Sequence, residues 1–204
     1  MNYRNVREQI TDQLREEILL GKYKPGEPLR EIPLAKRFRV SRGPIRDAFL
    51  KLTQEGLLES ETNRGVRVGK IWDEKVIPIM TKIRYELESF AIAELIRNLP
   101  EGFPVKIRKN LRLFKLACED QDLPAAVQLD LQFHRLLLRE SGHIGLESVW
   151  LPLLGGLRLP FSRHKILSES YLEHEAIFEA IQQGNIKTAL LALEKNIMQS
   201  FTKK

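Results

Sequence analysis

The feature that most constrains the fold of this chain is a change of hydrophobic period near residue 57. Before that point, apolar residues recur every three or four positions in three successive segments, which predicts helices over about 4–20, 29–38 and 42–55. Gly56 follows the third segment and is expected to end it. The apolar stripe of the first helix is predicted to consist of Val6, Ile10, Leu14 and Ile18.

After residue 57 the pattern becomes that of β-strands. Segments 57–61 and 66–68 flank Thr62-Asn63-Arg64-Gly65, where Asn and Gly favour a tight turn, so a two-stranded hairpin is predicted. Ser41 precedes the third helix and is well placed to cap it. Three helices and a hairpin in this order predict a winged helix-turn-helix at residues 1–70.

The rest of the chain, after a linker at 71–75, shows no strand pattern. Its leucine-rich helical stripes predict an all-α antiparallel bundle over 76–204. The predicted fold class is therefore mainly α: an N-terminal winged helix-turn-helix followed by an all-α antiparallel helical bundle. The helical segments that we expect in the bundle region are about 73–98, 104–121, 123–141, 144–162, 168–183 and 185–201.

Positive charge is concentrated in the predicted winged helix. The 204 residues carry 33 Lys+Arg and 27 Asp+Glu, a net charge of +6. Residues 1–72 account for +5 of this excess and residues 73–204 for only +1. A basic excess confined to one domain suggests a polyanionic partner such as nucleic acid, although a solvated basic face is the alternative.

The sequence argues against a membrane or secreted protein. No apolar run reaches the ~18–20 residues needed to span a bilayer, and residues 1–20 lack the pattern of a secretory signal. We therefore expect a cytoplasmic protein without a membrane partner. The single cysteine, Cys118, excludes an internal disulfide and a cysteine-based zinc site, and we expect its thiol to be inert.

Several motifs in the first 70 residues stand out together. They are Pro25-Gly26-Glu27-Pro28-Leu29, Leu34-Ala35, Val40-Ser41-Arg42-Gly43-Pro44-Ile45-Arg46-Asp47-Ala48 and Leu52-Thr53-Gln54-Glu55-Gly56-Leu57. This set resembles the GntR family of bacterial transcription regulators. The helical remainder is similar to the FadR-type (FCD) effector domain of that family in its six-helix form. The second similarity depends on Arg84 with Glu88, Asp130-x-x-x-His134, His174 and Ala180-Ile181-x-x-Gly184-Asn185.

The start of the third helix and the hairpin turn are predicted to contact DNA. In a helix-turn-helix the first residues of the second helix of the motif face base edges in the major groove. Arg42 and Arg46 are four residues apart and so project from one face, where each can bind guanine bidentately. Ser41 suits a phosphate contact. The predicted DNA-binding residues are Ser41, Arg42, Gly43, Arg46, Arg64 and Gly65.

The bundle carries a candidate metal site. Asp130 and His134 are four residues apart on one helix and therefore point the same way. The resemblance implies that this pair binds a divalent metal (zinc, nickel or manganese) together with histidines from the last two helices. His174 matches the first of these, but the second position is Asn196. An amide oxygen is a weaker ligand, so weaker binding, completion by water or effector, and a metal-free pocket all remain open.

Arg84 is the candidate effector-binding residue, together with Asn196. The resemblance implies that Arg84 faces the bundle cavity, where a planar guanidinium would suit a small organic acid. The alternative is an exposed salt bridge with Glu88, four residues further along the helix.

The predicted function is that of a DNA-binding transcription regulator, more often a repressor than an activator. The resemblance implies a homodimer that binds a palindromic double-stranded DNA operator and responds to a small, acidic effector. One alternative is a regulator whose bundle only dimerises and binds no effector, which Asn196 favours. A remote alternative is a metal-dependent hydrolase, but no second carboxylate or base is expected beside the metal, so we predict no enzymatic activity.

Overall fold

The computed structural model of the chain describes residues 6–61, 65–157 and 167–202, and these form two compact units. One unit holds the described residues up to Ile77 together with those from Leu151 to the end of the seventh helix. The other holds Pro78–Trp150 and the described residues from Leu167 onward. The first unit is a winged helix-turn-helix and the second is a helical bundle, which confirms the predicted fold class.

The first unit contains three helices and a small sheet. Helix α1 spans Val6–Leu19, α2 spans Glu31–Phe38 and α3 spans Arg42–Gln54. The antiparallel sheet has the order β1-β3-β2. Its strands are β1 at Pro28–Leu29, β2 at Leu58–Glu61 and β3 at Gly65–Val68.

The core of this unit forms where α1 packs on α3. Ile10, Leu14 and Ile18 of the predicted stripe are buried, but Val6 is 51% exposed, so the prediction is wrong at that position. Helical side chains lean towards the N-terminus of their helix, so Val6, one turn before the first buried residue Ile10, points away from the core. On α3 the buried side is formed by Ile45, Ala48, Phe49 and Leu52.

The region before the recognition helix differs from the prediction at one point. Leu29 was expected at the start of a helix, but it pairs with Val66 of β3, and α2 begins only at Glu31. A strand of two residues has no period to detect, and its partner lies far along the chain. Ser41 occupies the N-cap of α3 as predicted, although its side chain makes no capping hydrogen bond.

Residues 151–157 of the seventh helix belong to the first unit. That helix, α7, spans Leu146–Leu157 and contains Pro152. Within the unit, the backbone N–H of Trp72 donates to the carbonyl of Gly156 at 3.1 Å. A Cβ at Gly156 would lie 2.3 Å from the Trp72 ring, so only glycine permits this close approach. Trp72 therefore serves packing.

The second unit contains the other helices of the described chain. Its first helix begins later than predicted, at Ile77, because residues 73–76 form a turn in which the Asp73 side chain accepts from the N–H of Lys75 at 2.9 Å. None of the described helices is both long and apolar enough to cross a membrane. The helices are α4 at Ile77–Arg97, α5 at Phe103–Glu119, α6 at Leu123–Glu140, α8 at Leu167–Gln182 and α9 at Ile186–Thr202, with residues 146–150 of α7.

A single apolar core links these helices. Aromatic and aliphatic side chains from α4, α5, α6, α8 and α9 contribute to it, among them Leu95, Phe103, Phe133, Ile177 and Leu193. Cys118 is also buried, and burial raises the pKa of its thiol to about 11, so the thiol stays protonated and unreactive at neutral pH. The second half of the segment predicted at 144–162 lies partly outside the described residues.

Candidate DNA-binding surface and metal centre

Arg42 and Arg46 lie at the start of α3 and share one acidic partner. Their side chains are 54% and 60% exposed. Glu31, the first residue of α2, accepts from Arg42 Nε at 2.7 Å through Oε2 and from Arg46 Nε at 2.8 Å through Oε1. Arg42 Nη2 also lies 2.6 Å from Oε2. We call Glu31, Arg42 and Arg46 the recognition-helix cluster.

The other predicted DNA-contact residues that the structure describes lie at the start of α3 and at the start of β3, and Ser41 and Gly43 do not block access to the start of α3. Ser41 is exposed, and a Cβ at Gly43 would meet only the Ser41 hydroxyl, at 3.9 Å. Gly65 begins β3 with a φ of +81°, a conformation that favours glycine. Arg64 lies outside the described residues. Sequence reasoning missed Glu31, whose only signal was its position on the helix that precedes the recognition helix.

The hydrogen bond from Arg46, together with the charges of both arginines, lowers the pKa of Glu31. The carboxylate is therefore ionised throughout the neutral range, and the three-residue cluster is already formed in the chain without DNA.

Three predicted metal ligands come together inside the bundle. Asp130 and His134 lie on α6 and His174 lies on α8, and all three are buried. The two histidine Nε2 atoms are 3.2 Å apart, and Asp130 Oδ1 is 2.8 Å from His174 Nε2 and 3.9 Å from His134 Nε2. Ligand atoms around a tetrahedral zinc ion are about 3.3–3.6 Å apart, so small side-chain adjustments would suffice.

The far nitrogen of each imidazole is held by an acceptor. His134 Nδ1 lies 2.6 Å from Glu88 Oε2, and His174 Nδ1 lies 2.6 Å from the carbonyl oxygen of Ser170. Neither acceptor carries a proton to donate, so each Nδ1 donates to its acceptor and each Nε2 is the ring atom that remains to bind a proton or a metal ion. Two lone pairs at 3.2 Å beside a carboxylate repel one another unless a proton or a metal ion lies between them. The donor set therefore fits a divalent cation, and such outer hydrogen bonds are typical of metal-bound histidines.

Apolar side chains surround this site. The rings of Phe114 and Phe133 pack edge-on against His174, with centroid distances of 5.0 and 4.8 Å. Burial alone would raise the pKa of Asp130, but the charges of His174, His134 and Arg84 outweigh it, so the pKa is lowered. Asp130 is thus ionised and available as a ligand.

Glu88 connects the metal-ligand set to the rest of the bundle, which the sequence did not predict. Its side chain is 0% exposed and accepts from Arg84 Nε at 2.7 Å, from Trp150 Nε1 at 2.6 Å and from His134. Burial opposes its ionisation, yet the charges of Arg84 and His134 lower its pKa to about 2. The predicted pair of Arg84 with Glu88 exists, but it is buried rather than exposed. Spacing gave no sign of the contacts with His134 and Trp150, 46 and 62 residues away.

Arg84 is buried beside the metal-ligand set. Nε is engaged by Glu88, while the two terminal nitrogens have no hydrogen-bond partner among the described residues. Arg84 is near enough to Asp130 for its charge to lower that carboxyl's pKa. The guanidinium thus has an unused edge close to the candidate metal site. We call Arg84, Glu88, Asp130, His134 and His174 the bundle cluster.

Asn196 lies on α9 and is largely buried. One of its contacts is a hydrogen bond from Nδ2 to Glu173 Oε2 at 3.2 Å. Glu173 directly precedes His174 on α8. The predicted roles of Asn196 as a ligand and as an effector contact therefore remain predictions.

The cluster offers metal binding but no evident base for hydrolysis. A second carboxylate does lie beside the ligand set, contrary to expectation, but Glu88 is fully engaged by three donors. Its pKa of about 2 makes it a very weak base at neutral pH. The arrangement therefore suits the holding of a ligand better than the activation of water.

Both halves of the chain match known protein families. The pattern of bacterial regulatory proteins of the gntR family matches residues 6–68, and that of the FCD domain matches residues 80–198. The chain is 31% identical over 189 residues to the uncharacterized HTH-type transcriptional regulator YdhC of Bacillus subtilis (strain 168), across 89% of this chain and 83% of that protein. It is 34% identical over 132 residues to the HTH-type transcriptional repressor RspR of Escherichia coli (strain K12), across 65% of this chain and 58% of that protein.

A solved structure supports the fold independently. The E. coli McbR/YncC structure superposes with a TM-score of 0.81 at 19% identity, over 96% of this chain and 95% of that one. The two domain matches together span most of the chain, and the relatives are transcription regulators and not enzymes. The chain belongs to the GntR family of bacterial regulatory proteins, with an FCD domain, and is a DNA-binding transcription regulator.

Proposed function

We propose that this protein is a cytoplasmic repressor that binds a palindromic operator as a homodimer and whose operator affinity is controlled by an organic acid bound in the helical bundle. The observation that carries the DNA-binding part is the exposure of Arg42 and Arg46 at the start of α3. Repression is supported by the E. coli relative RspR, which is an HTH-type transcriptional repressor.

The metal part of the proposal depends on the convergence of three donor atoms. Asp130, His134 and His174 would hold a divalent ion, with Glu88 and the Ser170 carbonyl fixing the orientation of the two imidazoles. A bound zinc, nickel or manganese ion would supply a positive centre that attracts a carboxylate oxygen. We propose no catalytic step at this centre.

The effector part depends on Arg84. A guanidinium whose terminal edge is unused, buried close to Asp130, would pair with a carboxylate through two parallel hydrogen bonds. Such an effector changes operator affinity only if it binds one conformation of the dimer better than another. An effector-free bundle that only dimerises is the second candidate, favoured by the engagement of Asn196 with Glu173.

Selection of DNA by the full-length protein tests the proposal. The wild-type chain is incubated with a random duplex library, and enriched duplexes are measured by fluorescence anisotropy. We expect a palindromic sequence, and loss of about 5–150-fold in affinity for Arg42→Ala, since one bidentate contact is worth ~1–3 kcal/mol. Arg112→Ala on the exposed face of α5 removes the same charge and serves as the control. Enrichment of no sequence would contradict the proposed function.

A panel of di- and tricarboxylates then tests the effector part. We expect at least one acid to raise the melting temperature of the wild-type protein and to change its affinity for the selected duplex. Arg84→Ala should abolish both effects, whereas Arg112→Ala should keep them. If no acid shifts either quantity while the duplex is still bound specifically, the dimer-only candidate is favoured.

A further inference from the structure

The recognition-helix cluster places a negative charge between the two arginines that are proposed to contact DNA. Glu31 lies 11 residues before Arg42 and 15 before Arg46, and its two carboxylate oxygens divide between them. As the first residue of α2, Glu31 is also favoured in its ionised form by the helix dipole. The cluster thus carries a net charge of about +1 rather than +2.

The hydrogen bonds determine which edge of each guanidinium remains available. Arg42 uses Nε and Nη2 towards Glu31, and Arg46 uses Nε. Among the described residues, neither arginine has another partner. Because a guanidinium is planar and rigid, a bond at the Nε edge fixes the direction of the opposite, terminal edge. Both terminal edges are therefore set before DNA arrives.

The reduced net charge and the fixed orientation of the two guanidinium groups both favour sequence-specific binding over non-specific binding. Phosphate attraction is independent of sequence and grows with the positive charge of the surface, so Glu31 weakens binding to any DNA. Base reading requires two hydrogen bonds in one plane, and an arginine that is already oriented loses less side-chain freedom when it forms them. A single carboxylate can therefore lower non-specific affinity while preserving specific affinity.

Resting on the proposed function, we propose that Glu31 is a specificity-determining positioning residue, which holds Arg42 and Arg46 in register for base reading and reduces their attraction to phosphate. The competing description is a temporary ion pair that both arginines leave when they meet DNA. Under that description Glu31 changes the affinity for all duplexes by one common factor.

Two variants of Glu31 distinguish the effect of its negative charge from its effect on the orientation of the arginines. Glu31→Gln removes the negative charge, and Glu31→Asp keeps the charge on a side chain one methylene shorter, too short to reach both arginines as Glu31 does. The matched control is Glu74→Gln, which removes an exposed acid elsewhere in the same unit. Affinity is measured by anisotropy with full-length protein on three probes: the duplex selected by the wild type, its single-base variants, and a scrambled duplex of the same composition.

We expect Glu31→Gln to bind the scrambled duplex several-fold more tightly, with a salt dependence steeper by about one counterion. Its discrimination against single-base variants at the positions read by the arginines should fall by about tenfold, a factor within the range of one bidentate base contact. Glu31→Asp should lose discrimination while its affinity for the scrambled duplex stays at the wild-type value. Glu74→Gln should leave discrimination unchanged, and all four proteins should have the same melting temperature.

Discrimination equal to wild type in both Glu31 variants would overturn the proposal, since the ion pair would then act as charge alone. Loss in Glu31→Gln with full retention in Glu31→Asp would also overturn the positioning role. Failure of the proposed function is a different result: the wild-type protein itself would select no sequence, and Arg42→Ala would bind all duplexes as the wild type does.

Discussion

The two charged clusters of this molecule have similar composition and opposite surroundings. In the recognition-helix cluster a carboxylate and two arginines meet at the surface, where the arginines are more than half exposed. In the bundle cluster two carboxylates, an arginine and two histidines meet with almost no access to water. Surface ion pairs contribute little to stability because solvent screens them, whereas breaking a buried pair leaves a charge without compensation. Burial therefore separates a surface cluster on which the fold depends little from a buried cluster on which the fold depends strongly.

The largest effect that we expect comes from Glu88→Gln in the bundle cluster. The variant leaves Arg84 buried without its charged partner and weakens the acceptors of His134 and Trp150, so the free energy of unfolding should fall by about 3–5 kcal/mol. Urea unfolding of the chelator-treated protein, followed by circular dichroism, measures the change. Glu101→Gln, an exposed acid of the same unit, should change the value by less than about 0.5 kcal/mol. A loss of similar size in both variants would refute the role of burial.

The variant Glu17→Gln shows whether the burial of a carboxylate or the unit in which it lies determines its contribution to stability. Glu17 belongs to the DNA-binding unit, as Glu31 does, but its side chain is only 5% exposed, and it accepts from Arg37 Nη1 at 2.8 Å. Arg37 and Lys22 remain partly solvated, so we expect a loss of about 1 kcal/mol at pH 7. If Glu17→Gln lowers the free energy of unfolding by less than Glu31→Gln does, burial does not determine how much a carboxylate contributes to stability.

The contribution of Glu17 to the free energy of unfolding should also depend on pH. Burial would raise the pKa of Glu17, but the hydrogen bond and charge of Arg37 outweigh it, so the folded-state pKa lies below its ordinary value of 4.5. A lowered pKa stabilises the fold above that value, and the contribution is lost as the pH falls further. The difference between wild type and Glu17→Gln should therefore shrink below about pH 4.5, as urea midpoints at pH 7, 5, 4 and 3 would show. Glu8→Gln, exposed on α1, is the control, and a constant difference down to pH 3 would contradict the assignment.

The smallest effect on stability is expected for Arg46→Ala. Its partner Glu31 is solvated, so the free energy of unfolding should change by no more than about 0.5 kcal/mol. Affinity for the selected duplex should nevertheless fall by about 5–150-fold. Thermal melting and anisotropy on the same preparation check both values. A large loss of stability would mean that the recognition-helix cluster supports the fold, which would contradict the small contribution expected of a surface ion pair.

Local patterns explain which parts of this account could be predicted from the sequence. The helices, the hairpin and the Asp130–His134 spacing depend on residues a few positions apart, and the structure contains them. The predicted start of α2 was wrong, because Leu29 pairs with Val66 in a strand that is too short to show a hydrophobic period. Contacts between distant elements leave no local trace.

Glu88 and Glu31 illustrate that limit. Glu88 could be paired with Arg84 from spacing, but its bond to His134 depends on how α4 packs against α6. Glu31 follows Arg30 in what reads as an ordinary polar helix start. Its bond to two arginines requires the turn between α2 and α3 to bring both helix starts together.

If the bundle cluster is built for a divalent cation, the purified protein should contain one, so its metal content is the decisive measurement. Elemental analysis of the purified full-length protein is combined with thermal melting in zinc, nickel, manganese or chelator. We predict near-stoichiometric metal and a chelator-sensitive melting temperature for the wild type, both lost in His174→Ala and both retained in His143→Ala, whose histidine is an exposed loop residue. A wild-type protein that holds no metal and is unaffected by all three ions would contradict the claim.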